Sequence, residues 1–104
     1  MNLLKQLFTS LKRNDLQRVI DDAFLVDVRT AAEFSEGHVK GSVNIPLNMV
    51  QTELAKFKNK KNILVFCRSG NRSGQAKNIL EQYGFTNIIN GGTWKNINSL
   101  VNKK

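Results

Sequence analysis

Apolar residues follow two rhythms along this chain of 104 residues. Ile63, Leu64, Val65 and Phe66 stand in one unbroken run, short and apolar on both parities, which predicts a strand buried on both faces. After it, Ala76, Ile79, Leu80 and Tyr83 recur at helical spacing and predict a helix over 73–83, with Gly84 as its C′ residue. Val50, Leu54 and Phe57, at i, i+4 and i+7, predict another helix over 48–58. Nearer the start, Leu16, Val19 and Ile20 predict a helix capped by Asp15 and ended by Asp21 and Asp22. Strands are expected at 23–28, at 43–45 where Pro46 stops the run, and at 86–90 around Ile88 and Ile89. Thr30, with Glu33 three residues on, fits a capping box opening a short segment over 30–34. The last helix carries Trp94, Ile97 and Val101. Strands alternating with helices imply a parallel sheet with helices on both faces, its strand exits sharing one edge. Asp27-Val28-Arg29, Cys67 and Gly91-Gly92 are therefore expected to meet at that edge.

Leu3, Leu4, Leu7, Phe8 and Leu11 share one helical face, so residues 1–12 read as an amphipathic segment packed on a domain spanning 13–104. That segment lacks the basic start, continuous apolar core and small-residue cleavage pattern of a signal peptide. No stretch reaches the length of a membrane span. Composition adds the electrostatics: a formal net charge of +8 favours anionic small molecules and acidic protein surfaces. Charge alone would permit nucleic-acid binding, but no binding motif accompanies it, and no nucleic-acid partner is expected. The basic run from Lys56 to Lys61 reads as a solvated helix end. A single cysteine excludes an internal disulfide and fits a reducing, cytoplasmic setting.

The chemistry concentrates where the buried strand ends. Cys67 opens a polar loop, Arg68-Ser69-Gly70-Asn71-Arg72-Ser73, that runs into the following helix. Ligands of open α/β sheets bind at such strand exits, and a helix start supplies unpaired N–H groups and the positive end of the dipole. A thiol placed there beside Arg68 and Arg72 is expected to ionise more readily than a free one, and the thiolate is the nucleophile. Gly70 allows a positive φ or close approach of backbone to an anion, so the loop reads as a nest of donors around one sulfur. The plainer reading is a small buried hydrophobe; two arginines, two serines and a glycine in the loop favour a reactive thiol. Arg29 and Glu33, at i, i+4, fit a simple ion pair. Asp27 suits a loop-holding hydrogen bond, His38 a structural place between Gly37 and Gly41, and Trp94 the core or a pocket wall. One Cys and one His make no metal-ligand cluster, and neither metal nor other cofactor is expected.

Four motifs in order make the chain resemble a single-domain rhodanese, the thiosulfate sulfurtransferase-like family. They are Asp27-Val28-Arg29, the segment from Phe34 to Ser42, the loop from Cys67 to Ser73, and Gly91-Gly92-Thr93-Trp94. The resemblance implies a rhodanese-like α/β fold, a mostly parallel five-stranded sheet flanked by helices on both faces; a fifth strand fits at 9–11. It implies a Cys67 persulfide formed from a small anionic donor such as thiosulfate. Arg68, Ser69, Gly70, Asn71, Arg72 and Ser73 would bind the donor, with Asp27, Arg29, His38, Gly91 and Gly92 in support. The acceptor would be a thiol or cyanide, or a thioredoxin-like or other sulfur-accepting protein. Cysteine-dependent phosphatases and arsenate reductases also use a thiolate in an anion loop. The four residues between Cys67 and Arg72 are one fewer than such loops carry, and Phe66, not His, precedes the cysteine. A non-catalytic binding module of the same fold is a further alternative.

Overall fold

The computed structural model describes residues 13–102. Helix α1 (Arg13–Val19) passes through a 3-10 turn (Ile20–Asp22) into strand β1 (Ala23–Asp27). Helix α2 (Ala31–Glu36) and strand β2 (Val43–Asn44) follow, then two 3-10 segments (Leu47–Thr52 and Leu54–Phe57). Strand β3 (Asn62–Cys67), helix α3 (Asn71–Gln82), strand β4 (Ile88–Thr93) and helix α4 (Trp94–Asn102) complete the described chain. The sheet is wholly parallel, in the order β2-β1-β3-β4. It has four strands among the described residues rather than the expected five. The amphipathic face of 1–11 and the strand position at 9–11 lie outside the described residues.

The unbroken apolar run is explained by two cores, one on each face of β3. Ile63, Val65 and Cys67 face Val50, Phe57, Ala76 and Leu80, on the side of α3 and the 3-10 segments. Leu64 and Phe66 face Leu16, Ile20, Ile97 and Leu100, on the side of α1 and α4. Every residue from Ile63 to Cys67 is fully enclosed, as a central strand covered on both faces requires. Cys67 thus points toward the α3 side of the sheet.

Several boundaries differ from the periodicity reading. Asp15 lies inside the first turn of α1, paired with Arg18 at 3.3 Å, and is not its N-cap. The expected α-helix over 48–58 is two 3-10 segments instead. Leu47 and Val50 in one, and Leu54 and Phe57 in the other, are spaced by three, so each pair eclipses on one side as a 3-10 helix demands. The Thr52 hydroxyl donates to the Met49 carbonyl at 3.0 Å, a local bond that competes with helix continuation. α3 starts two residues before the expected 73 and closes on Gly84 as anticipated. There the Phe85 N–H reaches the Leu80 carbonyl and the Gly84 N–H the Glu81 carbonyl, both at 3.1 Å, a Schellman closure. In α4 the enclosed residues are Ile97 and Leu100, with Val101 only partly covered.

β4 runs on through Gly91-Gly92, beyond the expected end at 90. Val65 pairs with Asn90 and Cys67 with Thr93, so one extra residue on β4 makes a bulge opposite Phe66. The two glycines serve it differently. A Cβ on Gly91 would stand 3.1 Å from Ile97 and 3.2 Å from Leu64, whereas Gly92 takes a φ of +81°. The bulge brings the end of β4 beside the loop that leaves β3, at the C-terminal edge of the sheet.

Candidate functional site

Cys67 is the last residue of β3, and Gly70, at φ +98°, is the N-cap of α3. The positive φ turns the loop back over the thiol. The Gly70 N–H donates to Cys67 Sγ at 3.0 Å and the Ser73 N–H donates at 3.4 Å, with the Ser73 hydroxyl 3.6 Å away. Burial pushes the thiol up, but the Ser73 hydroxyl and the amides of Ser73, Gly70 and Ser69 outweigh it and hold the thiol below its ordinary range. The donors that favour the thiolate are therefore the main chain, in keeping with the expected nest of loop donors, and one hydroxyl; the loop arginines, also expected to act there, are not among them. The side chain is also enclosed, at 0 % exposure.

The two loop arginines divide. Arg72 is clamped by Glu33 of α2 at 2.7 and 3.1 Å, a bidentate pair. That pair, with the Thr30 amide behind it, pulls the Glu33 carboxyl down to about 2. Arg72 is raised by the same contact, with smaller contributions from Cys67 and Asp27. Arg68 is exposed and lines a cavity of about 470 Å³ together with Arg29, Gly37, Thr93 and Trp94. Two of these residues adjoin Cys67: Arg68 follows it in the chain and Thr93 is its partner on the neighbouring strand. The Ser69 hydroxyl accepts from the Asn71 N–H at 3.4 Å, and the Asn71 side chain accepts from Gln75 at 3.1 Å. Both of those side chains are thus engaged locally rather than at the sulfur.

Asp27 and Arg29 form a buried pair at 2.7 Å, and the Arg29 guanidinium also donates to the Gly37 carbonyl at 2.7 Å and lies 4.4 Å over the Trp94 ring. Arg29 consequently does not pair with Glu33; it precedes the N-cap Thr30, so helical i, i+4 geometry never applies to it. Asn44 donates from one amide to the carbonyls of both Asp27 and Arg29 at 2.9 Å, which fixes the strand exit. The pair meets Trp94 of the α4 side, across the sheet from Cys67. His38 is exposed, stacked on Phe34 at 3.8 Å, its Nδ1 donating to the Phe34 carbonyl at 2.9 Å. It stands as a local brace of α2.

Two participants escaped the sequence reading. Glu33 was legible as a cap, and it does cap: the Glu33 N–H donates to Thr30 Oγ1 at 3.2 Å and Thr30 N–H to Glu33 Oε1 at 3.0 Å. Its second task, holding Arg72, has no local signature. Asn90 carried only its place before the glycine pair. It ties β4 to the loop, its Oδ1 accepting from the Ser73 hydroxyl at 2.7 Å and from the Gly92 N–H at 3.0 Å.

A parallel sheet in the order β2-β1-β3-β4 with helices on both faces is the fold of the rhodanese-like class of α/β domains. The chain belongs to that family, whose domain model matches residues 10–96. It is similar to the thiosulfate sulfurtransferase PspE of Escherichia coli, with 40% identity over 74 residues, 69% of this chain and 71% of the relative. A sulfurtransferase of Allochromatium vinosum is 33% identical over 76 residues, 71% of each chain. Among solved structures, a rhodanese with anions from E. coli superposes with a TM-score of 0.65 at 38% identity, over 71% of this chain and 89% of that one. No helix among the described residues is long and apolar enough to cross a membrane.

Proposed function

We propose that this protein transfers sulfane sulfur through a persulfide on Cys67. The observation that carries the reading is the Sγ held by the amides of Gly70 and Ser73, in a chain of the sulfurtransferase-containing family. The Cys67 thiolate attacks the outer sulfur of thiosulfate. A new S–S bond forms, the bond to the sulfonate sulfur breaks, and sulfite leaves with that electron pair. An acceptor thiolate then attacks the outer sulfur of the persulfide and returns Cys67 as thiolate; cyanide in the same role gives thiocyanate. This is covalent catalysis in two half-reactions, and ping-pong kinetics follow. Sulfite is a good leaving group and the nucleophile is already stabilised, so no general base is required. The amides that hold Sγ also supply donors for the charge on the transferred sulfur, as an oxyanion hole does.

Enclosure sets a condition. With Cys67 at 0 % exposure, a donor reaches Sγ only when the residues that enclose it give way. Arg68, exposed at the cavity mouth, is placed to attract the dianionic donor. The phosphatase alternative is weaker on this geometry. Arg72 is committed to Glu33, and the loop closes amides directly onto one sulfur atom.

The test compares sulfite release from thiosulfate with phosphate release from an aryl phosphate, in the wild type and in Cys67→Ser. Sulfite release with parallel-line kinetics, lost in Cys67→Ser while the far-ultraviolet spectrum is unchanged, is the expected result. Residual turnover in Cys67→Ser would place the nucleophile elsewhere, and phosphate release alone would reinstate the phosphatase reading.

A further inference from the structure

Ser73 has one hydroxyl proton and three acceptors around it. Asn90 Oδ1 lies at 2.7 Å, the Gly70 carbonyl at 3.1 Å and Cys67 Sγ at 3.6 Å. The orientation of the Asn90 amide is fixed by its other contacts. Its Oδ1 accepts from the Gly92 N–H at 3.0 Å and its Nδ2 donates to the Gly70 carbonyl at 3.3 Å, so Oδ1 faces Ser73 and the hydroxyl must be the donor between them. While the thiol is neutral its S–H can donate to Ser73 Oγ, and the chain Sγ–H to Oγ–H to Oδ1 is complete. When the thiol loses its proton to water, the sulfur becomes an acceptor and competes with Asn90 for the same hydroxyl proton.

We propose that Asn90 is a positioning residue that sets how readily Cys67 ionises, by competing with the thiolate for the one proton of the Ser73 hydroxyl. The role deepens the sulfur-transfer reading and rests on it for its purpose, although the ionisation itself does not depend on any substrate. Asn90 is exposed, so it is not there to fill the core, yet it makes three bonds to the elements that surround Sγ. The charged groups near the thiol are independent of residue 90. Arg72 of α3 is held by Glu33 of α2, Asp27 of β1 lies on the other face of the sheet, and Arg68, Lys95, Arg29 and Glu36 line the cavity.

The experiment is a pH titration of thiolate ultraviolet absorbance on the full chain, whose single cysteine makes the signal unambiguous. The variants are Asn90→Ala, Ser73→Ala, the double variant, and Asn90→Asp. Asn90→Ala frees the hydroxyl for the sulfur and moves the midpoint down by about one pH unit, the worth of one neutral hydrogen bond. In the Ser73→Ala background the same substitution leaves the midpoint in place. Asn90→Asp keeps an acceptor but adds a charge that raises the midpoint by itself, so the Asn90→Ala shift, which needs no Ser73 variant, carries the test if Ser73→Ala does not fold. An unchanged or raised midpoint in Asn90→Ala overturns the proposal, as does an equal downward shift with and without the Ser73 hydroxyl. The titration needs no thiosulfate, so a failure of sulfur transfer leaves this result readable.

Discussion

Gly70 and the two loop arginines show how single residues share the work at this site. Gly70 holds φ at +98°, which an L side chain adopts at a cost of about 1–2 kcal/mol, and its N–H is the nearest donor to Sγ. Gly70→Ala is therefore expected to lower the melting temperature and raise the pH midpoint of the thiol; an unchanged midpoint would mean that the amide at 3.0 Å does not support the thiolate. Arg68→Ala is expected to raise KM for thiosulfate about tenfold, the worth of one charge-assisted hydrogen bond, with kcat little altered. Equal KM values in the two proteins would remove Arg68 from donor capture. Arg72 predicts a different outcome, because its partner is Glu33. Glu33 is lowered from 4.5 to about 2 in the folded chain, so it binds fewer protons there than unfolded. Its stabilising contribution is complete above pH 4.5 and is lost as pH falls toward about 2. Melting curves across that window should lose part of their slope in Arg72→Met, and identical slopes would show that the ion pair carries no stability. Sequence reasoning found both arginines from the loop pattern but could not divide their roles. Arg72 and Glu33 are 39 positions apart, and only folding brings α2 against α3.

At the scale of elements, the β4 bulge and the 3-10 segments show what periodicity can and cannot reveal. β3 was legible because burial on both faces leaves no polar position in the run. α3 was legible from one apolar stripe and a C′ glycine. β4 was cut short because Asn90-Gly91-Gly92 has neither strand propensity nor alternation. The strand continues there for a packing reason, the close approach of Gly91 to Leu64 and Ile97. Gly91→Ala should therefore cost about 1–3 kcal/mol as overpacking between β4 and α4, measured by denaturant unfolding. A stability equal to the wild type would mean that the Leu64 and Ile97 side chains yield freely. The segment from 47 to 57 misled in the opposite direction. Val50, Leu54 and Phe57 fit a helical stripe, but the same positions serve two shorter 3-10 turns, and spacing alone does not distinguish them.

Taken whole, the molecule gathers distant pieces of sequence because parallel strands all finish at one edge. The convergence of β1, β3 and β4 followed from the alternation of elements. The sheet also separates what it gathers: Cys67 belongs to the α3 side, while Asp27 and Arg29 meet Trp94 on the α4 side. That division depends on the parity of each strand exit, which a list of motifs does not carry. Full enclosure of the thiol agrees with the plainer reading of Cys67 as a buried residue, and the loop that turns back at Gly70 accompanies it. The central claim is that this enclosed cysteine nevertheless accepts sulfur. It is tested most directly by intact mass measurement after incubation with thiosulfate under non-reducing conditions. The account predicts a gain of one sulfur atom per chain, reversed by an added thiol and missing from Cys67→Ser. A folded wild-type protein that keeps its original mass, or an adduct that persists in Cys67→Ser, would contradict it.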